Sequence, residues 1–160
     1  TETLFNKKET EMLAPADSDF YTISKGVAQG ELIGGNLTVF SQLIGTPYLP
    51  DMHRKLLFIE DINEEPYRID RMLMQLKLSG ILSEVNGIII GEFRKCDPEE
   101  PEKSLSLKQV LQDHLSNLNI PVFYGAKFGH IKDKWTLPIG IKAEMNADIG
   151  SLKLLEAAVV

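Results

Sequence analysis

Only one cysteine, Cys96, occurs in the 160 residues. No internal disulfide can form, so the thiol content calls for no oxidising compartment. Long apolar runs are equally scarce. The longest span four residues or little more, as at Leu56-Leu57-Phe58-Ile59, against the ~20 that a membrane-spanning helix needs. The first residues, Thr1-Glu2-Thr3-Leu4-Phe5-Asn6-Lys7-Lys8, offer no apolar segment of the secretory type. No initiator Met stands there either, so a piece of something longer is expected. Basic clusters are missing too: 17 Lys and Arg face 23 Asp and Glu, for a net charge of −6. A nucleic-acid partner is not expected, because such binding rests on clustered cations neutralising phosphates, and no membrane partner is expected. Metal-ligand spacing is absent as well. His53, His114 and His130 lie far apart, with no C-x-x-C or H-x-x-x-H pattern.

What is present is ordinary globular material: 43% apolar, 25% charged and 8% aromatic residues. The length suits one domain with a real core. Residues 1–19 mix charges with Ala14-Pro15-Ala16-Asp17-Ser18 and show no sustained period, so they read as a linker or extension, with the domain at 20–160. Within it, strands are expected at 20–24 and 27–33. Gly34-Gly35 should turn the chain into a helix capped by Asn36 and stopped at Gly45 and Pro47. Lys55 to Asp61 reads as a strand buried on both faces. Asn63 is the expected cap of the next helix, with Pro66 in its first turn and Gly80 just past its end. Gly87 to Gly91 is a second doubly buried strand. Residues 96–103 form a loop, Ser106-Leu107-Lys108-Gln109 a capping box, and residues 121–124 a strand. Mostly turn follows to 134, then paired strands at 137–145 and 152–155. Strands alternating with three helices define an α/β layout with a mixed sheet.

Few residues invite chemistry. Gly30-Glu31-Leu32-Ile33-Gly34-Gly35-Asn36 matches neither the dinucleotide nor the Walker pattern, so no cofactor is implied. Nine serines are present, none in a G-x-S-x-G elbow, and those at 41, 79, 104 and 106 have structural explanations. No nucleophile is visible. Cys96, at the edge of an acidic loop, has no motif supporting one. Glu60 and Asp61 are better placed, because the carboxyl ends of strands are where open α/β sheets hold ligands. His130, in a turn after the strand at 121–124, could reach the same place. The plain alternatives stay open. Glu60 could cap a helix or pair with Arg68, His130 could be a solvated turn histidine, and Arg68 and Arg71 could be helix-face charges.

Taken together, the motifs resemble a family. Gly34-Gly35-Asn36-Leu37, Gly45-Thr46-Pro47-Tyr48-Leu49-Pro50, Leu57-Phe58-Ile59-Glu60-Asp61, Pro66-Tyr67-Arg68-Ile69-Asp70-Arg71-Met72-Leu73, Gly91-Glu92-Phe93 and Phe128-Gly129-His130 follow the order of the L,D-carboxypeptidases. The chain resembles the C-terminal domain of that serine peptidase family over about residues 26–155. The resemblance implies a swivelling β/β/α domain and half of a Ser-His-Glu triad. Glu60 and His130 match its glutamate and histidine, with Asp61 the fallback orienter of His130. The nucleophilic serine and oxyanion hole belong to an N-terminal domain that these residues do not contain. Also implied are a bacterial, cytoplasmic enzyme of wall recycling, a murein tetrapeptide substrate cut before its terminal D-residue, no metal, and a homodimer. His53-Arg54 departs from the family pattern, as loop variation.

Three functions compete at this point: a murein L,D-carboxypeptidase half, a microcin-immunity-like hydrolase of another peptide conjugate, and a non-catalytic binding module. The isolated chain is expected to be inactive for want of the serine. His53, His114 and Cys96 are expected to do no chemistry.

Overall fold

A computed structural model describes residues 10–14 and 19–158. Eight strands form one mixed sheet: β1 (Thr10–Leu13), β2 (Tyr21–Ser24), β3 (Val27–Asn36), β4 (Leu56–Ile62), β5 (Gly87–Arg94), β6 (Val122–Tyr124), β7 (Lys142–Asn146) and β8 (Ser151–Leu154), in the order β1-β8-β7-β3-β4-β5-β6-β2. Among the described residues four helices accompany them: α1 (Leu37–Ser41), α2 (Pro66–Leu78), α3 (Ile81–Glu84) and α4 (Leu107–Leu115).

The long strand β3 belongs to two kinds of pairing. Its first half runs antiparallel to β7, from Val27 opposite Asn146 to Glu31 opposite Lys142. Its second half runs parallel to β4, from Leu32 opposite Leu56 to Asn36 opposite Glu60. β4, β5 and β6 continue the parallel part, and β2 closes it in the antiparallel sense. Two cores result. Leu57, Ile59, Ile88, Ile90 and Val122 face α1, α2 and α4, where Leu37, Ile69, Leu73 and Leu111 meet them. Leu56, Phe58, Ile89 and Phe123 face the other way, onto Met12, Met145, Leu152 and Leu154 of the antiparallel strands. The layers are thus β, β and α, and the uninterrupted apolar runs of β4 and β5 are those of strands covered on both faces.

Local signals explain most boundaries. Asn36 caps α1, its side chain accepting from the Val39 N–H at 3.1 Å. Ser106 and Gln109 form a complete capping box on α4. Pro66 opens α2, and Gly80, at φ 86°, ends it in the left-handed conformation. The paired strands near the C-terminus are β7 and β8.

Several expectations give way. Within the stretch read as linker, Thr10–Leu13 is an edge strand, held by its pairing with β8. The rest of that stretch, 1–9 and 15–18, lies outside the described residues. Gly34-Gly35 is not a turn but the extended end of β3, at φ 145° and 152°. Asn63 does not cap α2. It takes a left-handed φ of 58° ahead of it, and the cap position falls to Glu65. The chain after Gly80 adds α3, beyond the three helices expected. The strand expected from 137 begins only at Lys142, because Pro138 has no N–H to donate and Gly140 sits at φ 83°. No helix among the described residues is long and apolar enough to cross a membrane.

Candidate active site

Glu60 and His130 meet at the carboxyl end of the parallel strands, 70 residues apart in sequence. His130 Nδ1 lies 2.8 Å from Glu60 Oε2. An ionised carboxylate only accepts, so beside it a neutral ring carries its proton on Nδ1 and keeps the lone pair on Nε2. The Glu60 side chain is 8% exposed and the His130 side chain 49%. One is a buried anchor and the other reaches solvent. Among the described residues Nε2 has no hydrogen-bond partner.

The backbone around the pair explains why it forms. Between β4 and β5 the register slips after Ile59–Ile90, and the next pair is Asp61–Phe93. One extra residue on β5, in the Gly91-Glu92 stretch, therefore bulges beside Glu60. Bulges of this kind re-aim side chains at strand ends. The loop after β6 is tied to this bulge. Gly125 and Ala126 both donate to the Ile90 carbonyl, at 3.0 and 3.1 Å, and the Glu92 N–H donates to the Phe128 carbonyl at 3.2 Å. The Phe128 ring meets Phe58 edge-on, with centroids 5.6 Å apart, and lies so close to Gly91 that a Cβ there would fall 2.6 Å from it. Arg94 Nη1 donates to the His130 carbonyl at 3.1 Å.

The three residues of Phe128-Gly129-His130 divide the work. Phe128 seats the loop, Gly129 lets it approach, and His130 makes the contact. Gly129 has φ 107°, and a Cβ on it would lie 2.6 Å from Glu60 Oε2. Gly129→Ala is therefore expected to push the Glu60 carboxylate off His130 and to cost about 1–3 kcal/mol in backbone strain. Denaturant unfolding checks the second effect, and the NMR shifts of the His130 ring check the first. An alanine variant with unchanged ring shifts would contradict this reading of the glycine.

Asp61 does not share the site. Its carboxylate accepts from Asn36 Nδ2, from the Thr38 N–H and from Thr38 Oγ1, each at 2.8 Å. It binds the start of α1 on the helical face and is not an orienter of His130. Neighbouring strand residues point to opposite faces, so only Glu60 is left for the histidine. Arg68 pairs loosely with Glu64, at 3.5 Å, rather than with Glu60.

The other candidates disperse. His114 is buried between α4 and α2, with Nε2 2.8 Å from Asp70 Oδ1. His53 is exposed at the opposite end of the sheet. Cys96 is buried, and burial pushes its thiol up to about 11, far from nucleophilic range at neutral pH. Glu92, half-buried on the bulge, has its carboxyl raised above the ordinary range, first by burial and then by Asp19 nearby. Among the described residues no three His, Cys, Asp or Glu side chains gather as a metal site requires.

The structure thus presents a β/β/α domain with a half-exposed histidine held by a buried carboxylate at its strand ends. Comparison with known proteins agrees on the family. The family described as LD-carboxypeptidase C-terminal domain matches residues 29–145, and the chain belongs to it. It is 47% identical over 146 residues to the probable murein peptide carboxypeptidase of Bacillus subtilis, covering 89% of this chain and 44% of that one. It is 30% identical over 132 residues to the microcin C7 self-immunity protein MccF of Escherichia coli, covering 82% and 38%. The crystal structure of muramoyltetrapeptide carboxypeptidase from Oxalobacter formigenes superposes with a TM-score of 0.80 at 37% identity, over 96% of this chain and 51% of that one. The chain thus spans about half the length of the relatives it matches.

Proposed function

We propose that this domain supplies the histidine and glutamate of a serine L,D-carboxypeptidase acting on peptidoglycan-derived tetrapeptides in the bacterial cytoplasm, as a homodimer. The observation that carries the reading is the Glu60–His130 pair, in which the ring is half-exposed and Nε2 has no hydrogen-bond partner among the described residues. A solvated turn histidine would not need a buried carboxylate holding one of its nitrogens. Here one is held and the other is offered, which suits a serine presented by a preceding N-terminal domain.

The chemistry follows from that arrangement. Nε2 takes the proton of the serine hydroxyl as Oγ attacks the carbonyl of the bond before the terminal D-residue. Glu60 holds the tautomer and stabilises the imidazolium that forms. The tetrahedral intermediate collapses as the imidazolium returns the proton to the leaving amine, releasing the D-amino acid and leaving an acyl-serine. Water then attacks the ester, with Nε2 accepting its proton and returning it to serine Oγ. No step needs a metal.

The names of the relatives support the substrate class, and the likeness to MccF, a structure of which is in complex with aspartyl sulfamoyl adenosine, supports a second reading, hydrolysis of another peptide conjugate. The full-length protein is expected to release D-alanine from a murein tetrapeptide, while the 160-residue chain alone releases none. Amino-acid analysis of both digests, with an aspartyl sulfamoyl adenosine digest alongside, separates the readings. Cleavage of the nucleoside conjugate alone would favour the second, and cleavage of neither by the full-length protein would end both.

A further inference from the structure

At the end of the sheet opposite Glu60 lies a hollow that the proposed chemistry does not use. Its volume is about 380 Å³, and it is walled by β3, the turn ahead of β4, Asn86 and the start of β7. Five residues of extended chain, about 16 Å, separate its Lys55 from Glu60. Four residues that can carry positive charge converge on it from two stretches of chain: His53, Arg54 and Lys55 from the turn, and Lys142 from β7. One acid, Glu31, shares the lining, and it is already paired with Lys55. Carboxylates beside the hollow are also engaged: Asp51 accepts from the His53 backbone N–H at 2.9 Å. Glu144 accepts from Gln29 Nε2 at 2.6 Å, and Glu156 accepts from the Lys142 backbone N–H at 2.8 Å.

Arg54 and Lys142 are thus exposed cations without a side-chain partner among the described residues, gathered on a chain whose net charge is −6. Their walls are held in place before any ligand arrives. The Arg54 N–H donates to the Glu84 carbonyl at 2.9 Å, and the Asn86 N–H to the Lys55 carbonyl at 2.8 Å. Arg54 sits at a left-handed φ of 57°. Gly30 lets the turn lie against β3, since a Cβ there would fall 2.5 Å from the Arg54 carbonyl oxygen.

We propose that this hollow is an anion site, in which Arg54 and Lys142, with His53 on the rim, bind the phosphate group of a small phosphorylated molecule. Two uncompensated cations match a dianion. A guanidinium takes two phosphate oxygens at once, and an ammonium adds a point charge. The volume exceeds that of phosphate alone, so room is left for the group that bears it. The site stands independently of the Glu60–His130 reading.

Titration of the ¹⁵N-labelled chain with sodium phosphate at constant ionic strength tests it. Saturable shifts are expected at Gln29–Glu31, His53–Lys55 and Lys142–Ala143, with a Kd of about 1–10 mM, and glycerol 3-phosphate should bind more tightly. The R54A/K142A variant should weaken binding at least tenfold, whereas K134A, which removes an exposed lysine elsewhere, should not. A second variant, R54Q, removes charge while keeping bulk and should weaken binding on its own. Shifts that fail to saturate, or that appear equally around Lys132 and Lys134, would overturn the site. So would unchanged affinity in R54A/K142A.

Discussion

Removing the His130 imidazole from the full-length protein is expected to lower kcat/KM by about 10⁴-fold or more, and Glu60→Gln by about 10³–10⁴-fold. A 10⁴-fold loss corresponds to about 5.4 kcal/mol of barrier. The two substitutions should act mainly on kcat, since neither side chain is asked to bind the ground-state peptide. They should also be strongly non-additive, because an oriented base and its orienter work as one unit. Stability separates this from a packing effect. The His130 side chain is half-exposed, so His130→Ala should leave the unfolding free energy within about 1 kcal/mol of the parent. Steady-state kinetics on the two single variants and the double variant, beside denaturant unfolding, supply both readings. A loss of less than tenfold at His130, with the fold intact, would end the triad assignment.

How much of the fold and the site is legible in the sequence depends on where the determining contacts lie. The capping box at Ser106, the proline opening α2 and the cap at Asn36 involve partners within four residues, and all three occur as expected. The doubly buried strands β4 and β5 announce themselves by unbroken apolar runs. β1 does not, because Thr10–Leu13 has little strand pattern of its own and is extended only because β8 pairs with it. The site divides in the same way. Glu60 at a strand end and His130 in a turn are legible as candidates, and the family resemblance pairs them. Their 2.8 Å contact depends on a bulge in β5 and on the Arg94–His130 and Glu92–Phe128 bonds, for which no local spacing gives a signal. Asp61 is the fallback that the fold does not use. Sequence adjacency makes it an alternative to Glu60, whereas strand alternation commits it to Asn36 and Thr38 on the other face.

The same distinction governs Gly34 and Gly35, whose sequence suggests a turn and whose role is instead in the sheet. At φ 145° the Cα–H of Gly34 that a side chain would replace points into the neighbouring strand. A Cβ there would lie 1.8 Å from the Phe58 carbonyl oxygen, 2.8 Å from its carbon and 2.9 Å from the Phe58 nitrogen. These are backbone atoms of the residue paired with Gly34 in the parallel ladder, so no rotamer change relieves the clash. Gly34→Ala must separate β3 from β4 at the level of the two cores, and a loss of more than about 4 kcal/mol is expected, a large part of an ordinary domain's stability of about 5–15 kcal/mol. Gly35 provides the internal control. Its φ is 152°, equally unfavourable for a side chain, but a Cβ on it would meet nothing within 4 Å. Gly35→Ala should therefore cost only the backbone strain, about 1–3 kcal/mol, and stay folded. Denaturant unfolding of the two variants decides the matter. Equal losses would mean that conformational strain alone demands these glycines. A much larger loss at Gly34 would mean that the demand is the close approach of β3 to β4, the contact that sets Asn36 opposite Glu60 and so places the carboxylate where His130 can reach it.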